Sequence, residues 1–426
     1  MFVAMRARPQ IPMSVWAIVL TGFALRAVVM VALRSYEFPS AQDHYLFGTE
    51  MGRVARSLVF GRGFASPLQG ETGPTAMVGP VYPLVIAAAF KVWGVYTTAS
   101  AIVVLTLNAL LSAVTAAVVY LTAKAAFEEE GVAIGAAWLW ALFPFGIYMP
   151  VVWIWDTSLS ALMFGLVFLA TVRLGRSMRA ADGAWYGGAW GLLVLTNTTY
   201  ISVLPALTGW LAGRRIRRGA RWIGPVAAIL LGCGLVLAPW ALRNDLVFGH
   251  VLLRSNFGLE LAQDNPPASG GPRAWQMHPA FNAAEMARYR ALGELGYMRV
   301  KQREAMTFIT RYPGRFARAT MRRAVFFWFG TESPTRIVEF PGVAYALVSL
   351  FAFGGLAAAV LQRHAAVFPF ASVVALFPLV YYVTHAELRF RHLIEPQLVV
   401  LAAYGGAAVW RRILGAIESK RTPPTA

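Results

Sequence analysis

Residues 98–123 read TASAIVVLTLNALLSAVTAAVVYLTA, a stretch without Asp, Glu, Lys or Arg. About 20 apolar residues in a helix are enough to cross the hydrocarbon core of a bilayer. The stretch therefore predicts a membrane-spanning helix, and so does the apolar run 13–33. That run is longer than a signal-peptide core and has no small-x-small cleavage site at its end, so we interpret it as an uncleaved first span. Its one charged residue, Arg26, is costly inside a membrane and is expected to have a structural role.

The same apolar pattern recurs along the 426-residue chain. Eight further stretches predict spans: 131–152, 157–172, 184–197, 199–213, 222–240, 341–361, 366–384 and 394–410. With the first two they make about ten transmembrane helices, within a range of 9–12. The sequence thus predicts an all-α integral membrane protein with a single polytopic domain over 1–426. The shorter, proline-marked stretch 79–94 predicts a helix at the membrane surface or partway into it.

Composition supports this class of protein. The chain is 58% hydrophobic and 14% charged, whereas soluble chains are about 45–50% apolar and about 25% charged. Together with a single cysteine, this excludes a disordered chain, a disulfide scaffold and an ordinary cytosolic enzyme. The net charge of +18 would suggest nucleic acid in a soluble protein. Here we interpret it as topology signals beside anionic membrane lipids, and no nucleic-acid partner is expected.

Basic residues in the short loops orient the spans, because such residues remain in the cytoplasm. With a cytoplasmic N-terminus, the inner loops and tail carry Lys124, Arg173, Arg176, Arg179, Arg214, Arg215, Arg217, Arg218, Arg221, Arg363, Arg411, Arg412, Lys420 and Arg421. Both termini are then cytoplasmic. Two long segments, 34–97 and 241–340, lie outside and are expected to contain juxtamembrane helices. Counting 79–94 as a span would invert this arrangement.

Two carboxylates occur at the predicted outer ends of spans. Asp43 follows the first span, and Asp156 lies at the junction of two spans. A partly desolvated carboxylate can accept a proton from a hydroxyl during a reaction. Each residue can equally cap the helix that follows it.

Arginines form the second group of candidates. The hexapeptide Glu387-Leu388-Arg389-Phe390-Arg391-His392 lies between the last two spans, where short outer loops normally avoid Arg. Arg243 and Asn244 lie where another span opens into the second long segment. Arg binds phosphate through a planar fork that stays charged at any working pH. The alternative interpretation is an ion pair with Glu387 and contacts with lipid headgroups.

All these groups fall on one membrane face, which suits the attack of a hydroxyl on a lipid-linked phosphosugar. The departing phosphate is an anion and needs fixed positive charge. The sequence contains no G-x-x-x-x-G-K-[ST] loop, no G-x-S-x-G elbow and no His/Cys cluster with metal-ligand spacing. No cofactor is therefore required and no metal ligand is assigned, although a divalent metal stays open.

Several motifs, in order along nearly the whole chain, carry a resemblance. They are Asp43-His44-Tyr45, Ala55-Arg56-Ser57-Leu58 with Gly61-Arg62-Gly63-Phe64, Gly79-Pro80-Val81-Tyr82-Pro83, Pro239-Trp240-Ala241-Leu242-Arg243-Asn244, Ser255-Asn256-Phe257-Gly258, Asp264-Asn265-Pro266, and Arg389-Phe390-Arg391-His392 with Pro396. The set resembles the polytopic GT-C glycosyltransferases. Within them it is most similar to bacterial relatives of the dolichyl-phosphate-mannose–protein mannosyltransferases and to the lipid A aminoarabinose transferase.

The resemblance implies a GT-C bundle in a bacterial inner membrane with its active site on the outer face. It makes Asp43 the general base and Asp156 an assisting carboxylate, and it assigns the lipid phosphate to Arg243, Arg389 and Arg391. The remaining residues expected to bind substrate are His44, Tyr45, Tyr82, Asn244, Glu387 and His392. Many members have Asp-Glu where this chain has Asp43-His44, so a second carboxylate for metal binding has no counterpart at 44.

The expected activity is transfer of a hexose or pentose from a polyprenyl-phosphate donor to a hydroxyl of a glycan, lipid or protein. A transporter or glycolipid flippase is the alternative from another class. It is disfavoured because the ionisable residues gather at one membrane end rather than pairing at mid-membrane. A GT-C-like protein that only binds polyprenyl lipid is a third reading. The sequence specifies neither the sugar nor the acceptor.

Overall fold

The computed structural model describes residues 11–38, 47–265, 278–331 and 342–421. Within them the chain forms eighteen α-helices, and one 3₁₀ helix (Thr198–Ser202) lies between α8 and α9. The α-helices are α1 (Met13–Leu33), α2 (Thr49–Val59), α3 (Val81–Trp93), α4 (Thr98–Phe127), α5 (Glu130–Leu142), α6 (Pro144–Val152), α7 (Thr157–Leu174), α8 (Ala180–Thr196), α9 (Leu204–Ile216), α10 (Ile223–Phe248), α11 (Phe257–Gln263), α12 (Ala283–Arg311), α13 (Pro313–Phe329), α14 (Gly342–Leu361), α15 (Val367–Leu376), α16 (Leu379–Val383), α17 (Leu388–His392) and α18 (Glu395–Arg421).

Six of these helices are individually long and apolar enough to cross a membrane: α1, α4, α7, α10, α14 and α18. The pair α5 and α6 makes a seventh span if its 44° bend lies within one crossing. The bend falls at Phe143, which is extended at ψ 120°. Pro144 explains this conformation, because a proline disfavours the helical region for the residue before it.

The all-α membrane fold predicted from the sequence is confirmed. Each of the ten predicted spans coincides with a helix or a helix pair of the described residues. Three of them, α8, α9 and the pair α15–α16, are shorter than the other spans. The stretch 79–94 contains the 13-residue helix α3, again short. Helix α10 continues to Phe248, eight residues beyond the end of the predicted span 222–240.

Small residues let the long helices approach each other closely. A Cβ on Gly232 of α10 would lie 2.2 Å from the carbonyl oxygen of Ala184 in α8. A Cβ on Gly355 of α14 would lie 2.0 Å from the carbonyl oxygen of Leu401 in α18. Membrane helices are already surrounded by apolar lipid, so close van der Waals packing of this kind provides much of their association.

The contact at Gly232 gives a prediction about stability. Gly232→Val should lower the free energy of unfolding by about 3 kcal/mol, because the added methyl groups meet backbone that cannot rotate away. Gly234→Val is the matched control on the same helix, since a Cβ there meets no atom within 4 Å. Unfolding of the two purified variants in detergent measures the difference. Equal midpoints for Gly232→Val and Gly234→Val would contradict the close α8–α10 contact.

Arg26 is fully buried inside α1 and ties three helices together. Its Nε donates to Ser112 Oγ of α4 at 3.0 Å, and its Nη1 donates to the carbonyl oxygens of Gly22 at 2.8 Å and of Ala141 in α5 at 3.2 Å. These bonds satisfy much of a group that is expensive in an apolar interior. The contacts agree with the structural role expected for this residue.

Buried Glu294 joins the two long segments at one end of the bundle. Gly293 interrupts α12 with a positive φ of 68°, a conformation that glycine adopts without steric cost. The Glu294 carboxylate then accepts bonds from Thr75 Oγ1 at 2.6 Å, from the Ala76 amide at 2.7 Å and from Ser255 Oγ at 2.6 Å. The segment after α10 is thereby fixed against the segment before α3.

Candidate active site

A cavity of about 920 Å³ lies at this same end of the helix bundle. It is bordered by the C-terminal ends of α6, α8 and α16, the start of α2, and helices α11 and α17. Its acidic, basic, histidine and amide side chains are Glu50, Asp156, Asn197, Arg254, Asn256, Glu260, Gln263, His278, His385, Glu387 and Arg389. Aromatic side chains, including Trp153, Trp155 and Tyr381, form much of the remaining wall.

Asp156 is almost fully buried at the wall of the cavity. It precedes α7, but its side chain makes no capping bond to that helix. Its Oδ2 instead accepts bonds from Ser160 Oγ at 3.2 Å and from Asn197 Nδ2 at 3.3 Å. Burial raises the pKa of Asp156, although Arg254 and Arg389 act in the opposite direction. A carboxylate with a raised pKa is a stronger base toward a hydroxyl than an ordinary exposed aspartate.

Arg389 lines the cavity between aromatic rings. Its guanidinium carbon lies 4.2 Å from the ring centroid of Trp155, 5.4 Å from that of Trp153 and 5.2 Å from that of Phe390. Its Nε lies 2.6 Å from Glu387 Oε2. Stacking on aromatic faces holds a guanidinium in a defined plane, so this cation is oriented in advance of any ligand.

Arg254 is a cavity cation that the sequence reasoning missed. Its Nε and Nη2 both donate to the Met77 carbonyl oxygen, at 3.1 and 2.9 Å. It immediately precedes Ser255, which the bond to Glu294 fixes in place. Arg254 gave no signal in the sequence because long outer segments are exempt from the charge rule. Only its position beside the motif Ser255-Asn256-Phe257-Gly258 could have indicated it.

His385 and Glu260 were also missed, and they form a chain of charges with Glu387. His385 Nδ1 lies 3.2 Å from Glu260 Oε2, and its Nε2 lies 3.7 Å from Glu387 Oε1. Burial alone would lower the pKa of His385, but the two carboxylates outweigh it and the pKa is raised. Burial alone would raise the pKa of Glu387, but Arg389 and His385 lower it to about 2. Glu387 therefore stays ionised.

A second histidine, His278, also borders the cavity. Its Nε2 is 3.4 Å from Glu50 Oε1 at the start of α2. Burial lowers the pKa of His278 and outweighs the nearby carboxylates. The two cavity histidines thus differ in the direction of their pKa shifts, and His278 favours the neutral form.

Two of the expected phosphate ligands, Arg243 and Arg391, do not border the cavity. Arg243 donates to the carbonyl oxygens of Thr75 at 2.7 Å and of Phe64 at 2.8 Å. Arg391 is buried in the bundle, with its Nε 2.8 Å from Glu395 Oε2. Both guanidinium groups make packing contacts within the bundle, so neither is included in the donor-phosphate site proposed below.

Three expected substrate-binding residues also lie away from the cavity. The Tyr82 hydroxyl donates to Asn108 Oδ1 at 2.9 Å, and Asn244 Nδ2 donates to the Leu252 carbonyl oxygen at 2.8 Å. His392 is fully buried, with its ring centroid 5.2 Å from that of Trp140. Each is held within the packed bundle, and the structure does not bring these three side chains together with the cavity residues.

Asp43, His44 and Tyr45 lie outside the described residues. The described chain resumes at Phe47, and Thr49 and Glu50 at the start of α2 already border the cavity. Of the expected site, the structure therefore brings together Asp156, Glu387 and Arg389. Within ranges 11–38, 47–265, 278–331 and 342–421, no group of three or more His, Cys, Asp or Glu side chains is arranged to hold a metal ion.

No protein-family model matches the chain, and no curated protein matches it. Several solved structures do match the chain. The archaeal oligosaccharyltransferase AglB from Archaeoglobus fulgidus, in complex with an inhibitory peptide and a dolichol-phosphate, matches with a TM-score of 0.54 and 13% identity over 96% of this chain and 52% of that chain. The apo form of the Archaeoglobus fulgidus enzyme matches with a TM-score of 0.52 and 12% identity over 100% of this chain and 53% of that chain.

A looser match is ArnT from Cupriavidus metallidurans bound to undecaprenyl phosphate, with a TM-score of 0.39 and 14% identity over 91% of this chain and 77% of that chain. This chain spans about half the length of the archaeal structures. At these identities the archaeal matches establish the fold. The chain therefore shares the fold of the archaeal oligosaccharyltransferase, a GT-C protein, and a GT-C fold is what its sequence motifs led us to expect.

Proposed function

We propose that this protein is a membrane glycosyltransferase that moves a sugar from a polyprenyl-phosphate donor to an acceptor hydroxyl on the extracytoplasmic face. One observation carries the proposal: a cavity at one end of the bundle brings the buried carboxylate Asp156 together with Arg254 and Arg389. A fold shared with an oligosaccharyltransferase whose complex contains dolichol-phosphate supports the same class of activity.

The donor phosphate is assigned to Arg389 and Arg254. The phosphate leaves as an anion when the sugar is transferred, and fixed guanidinium groups stabilise that charge without reorganising. The rings that hold Arg389 also provide apolar faces suited to a sugar ring and the first isoprene units. Arg254 also borders the cavity and lies in the loop after α10.

The acceptor is assigned to the carboxylates, with Asp43 as general base and Asp156 assisting. The acceptor oxygen attacks the anomeric carbon from the side opposite the phosphate, and its proton passes to the carboxylate. The bond between the anomeric carbon and the phosphate oxygen breaks, and its electron pair stays on the phosphate. Such a direct displacement inverts the configuration at the sugar carbon.

The proposed outer location of the cavity rests on the distribution of basic residues. The cavity borders the 3₁₀ helix that precedes α9, whereas the cluster Arg214–Arg221 lies at the far end of α9. A helix of this length separates its ends by about 20 Å. If the cluster remains in the cytoplasm, as basic loops do, the cavity faces outward and both termini are cytoplasmic. A bacterial inner membrane is the corresponding location.

Comparative mass spectrometry of glycans and glycolipids tests the proposed activity. A strain that lacks the gene should lose one sugar from a surface glycan, lipid or protein and should accumulate the polyprenyl-phosphate donor. Expression of the wild-type chain should restore the product. An unchanged set of sugars in the deletion strain would contradict the proposal.

Purified protein in liposomes separates a transferase from a flippase. With a radiolabelled donor-lipid fraction and membrane extract from the deletion strain, a transferase forms a covalent labelled product. Movement of the donor between leaflets without a covalent product would instead support the transporter alternative.

A further inference from the structure

His385 lies between two carboxylates on different parts of the chain. Glu260 belongs to α11, and Glu387 belongs to the connection between α16 and α17. The two ring nitrogens of His385 face one carboxylate each, at 3.2 and 3.7 Å. Both distances are within ion-pair range, so a positive charge on the ring is attracted by the two carboxylates at once. The geometry therefore favours the charged form of a histidine whose side chain is only 5% exposed.

The chain of contacts continues to the arginine assigned to the donor phosphate. Glu387 is shared between His385 and Arg389, whose Nε lies 2.6 Å from Oε2. With His385 protonated, the two carboxylates and the two cations sum to zero. With His385 neutral, the same four side chains carry one net negative charge, and Glu387 has only Arg389 as a cationic partner. An anionic phosphate at Arg389 is then opposed by a neighbouring carboxylate.

We propose that protonated His385 is a positioning residue for the phosphate site: it shares the charge of Glu387 and thereby keeps Arg389 available to the lipid phosphate. The inference rests on the proposed function, because it assumes that Arg389 binds the donor. It goes beyond that function in making donor affinity depend on a group that does not itself touch the phosphate. Affinity is high at pH values where His385 is protonated and falls as the pH rises through its pKa.

Other groups face His385 from the elements packed around it. They are Asp264 after α11, His278 before α12, Arg323 on α13, whose Nη1 donates to the Thr384 carbonyl oxygen at 2.7 Å, and Phe390 on α17, whose ring centroid is 5.1 Å from that of His385. Asp264 acts in the same direction as the two carboxylates and raises the pKa of His385. His278 favours its neutral form, so the carboxylates dominate the local charge.

The test measures the affinity of the full chain for undecaprenyl phosphate in nanodiscs of neutral lipid, between about pH 6 and about pH 9. The wild type is compared with His385→Gln and with His385→Lys, which keeps a cation across this range. At the low end the wild type should bind roughly tenfold more tightly than His385→Gln, a size expected for one charge at this range in a partly buried site. The ratio of the affinity of the wild type to that of His385→Gln should fall toward one at the highest pH. The affinity of His385→Lys should remain high over the whole pH range.

Two controls separate positioning from loss of fold. His250→Gln changes an exposed histidine outside the cavity and should behave as the wild type. Glu260→Gln should move the midpoint of the wild-type pH dependence to lower pH, because it removes the carboxylate that most raises the pKa of His385. A purely structural contact would not shift that midpoint. The ionisation of the lipid phosphate is common to all variants and cancels in the ratios.

The outcomes distinguish this inference from the proposed function. Binding by the wild type with a ratio to His385→Gln that does not vary with pH overturns the inference alone. An unchanged midpoint in Glu260→Gln overturns it as well. If the wild type fails to bind undecaprenyl phosphate at any pH, both the inference and the assignment of the donor class are wrong.

Discussion

Asp156→Asn should reduce the rate of sugar transfer at least about tenfold while leaving the protein folded, because Asp156 assists the general base Asp43. The amide has the shape of the carboxylate, and its oxygen can still accept the bonds from Ser160 and Asn197. What it loses is the negative charge and the basicity that burial enhances in Asp156. The rate is measured as covalent product formed by purified protein in liposomes with saturating donor.

Asp245→Asn is a matched control, because Asp245 lies in the last turn of α10 and does not border the cavity. It should transfer sugar at the wild-type rate. The affinity for undecaprenyl phosphate should change little in Asp156→Asn, since the phosphate is assigned to the arginines. Wild-type turnover by Asp156→Asn would remove Asp156 from the proposed chemistry and leave Asp43 as the single candidate carboxylate.

Arg389→Lys should raise the KM for the donor roughly a hundredfold, the equivalent of about 3 kcal/mol. Lysine keeps the charge, but it has no planar fork for the phosphate and no flat face to stack on Trp155 and Trp153. The change is therefore a test of geometry rather than of charge. Donor-dependent transfer rates measured over a range of donor concentrations give the KM.

Arg363→Lys, at an exposed position outside the cavity, is the control and should leave the KM unchanged. If Arg389→Lys retained the wild-type KM, a point charge would be sufficient at this position and the stacked arrangement would have no role in donor binding. Loss of turnover at an unchanged KM would instead assign Arg389 to the departing phosphate in the transition state alone.

The helices could be predicted from the sequence because hydropathy depends only on residues that are neighbours along the chain. About twenty consecutive apolar residues predict a membrane-spanning helix wherever they occur. Each predicted stretch coincides with a helix or helix pair of the described residues, and six of these helices are individually long enough to span a membrane. The bend between α5 and α6 was not predicted, because the stretch 131–152 ran through the break at Phe143. The stretch 199–213 likewise ran through the 3₁₀ helix that precedes α9.

Site residues could be predicted from the sequence only where a charged residue occurs at a position that is normally uncharged, such as a short loop between two spans. Asp156 and Arg389 were singled out as charges at the predicted outer ends of spans, and both border the cavity. Arg391 was singled out for the same reason, but its side chain lies inside the bundle and does not border the cavity. Successive residues of a helix are rotated by about 100°, so side chains two apart in α17 face nearly opposite directions. Arg389 stacks on Trp155, whereas Arg391 forms an ion pair with Glu395 inside the bundle.

Amino-acid order alone is enough to specify an all-helical membrane chain, its spans and the end of the bundle where polar groups gather, because each depends on residues that are neighbours along the chain. The three-dimensional packing decides which of those polar groups meet. Glu260 reaches His385 across more than a hundred intervening residues, and Arg254 comes beside Asp156 only because Glu294 fixes its loop. Such contacts depend on how distant helices converge, and no local pattern encodes that convergence.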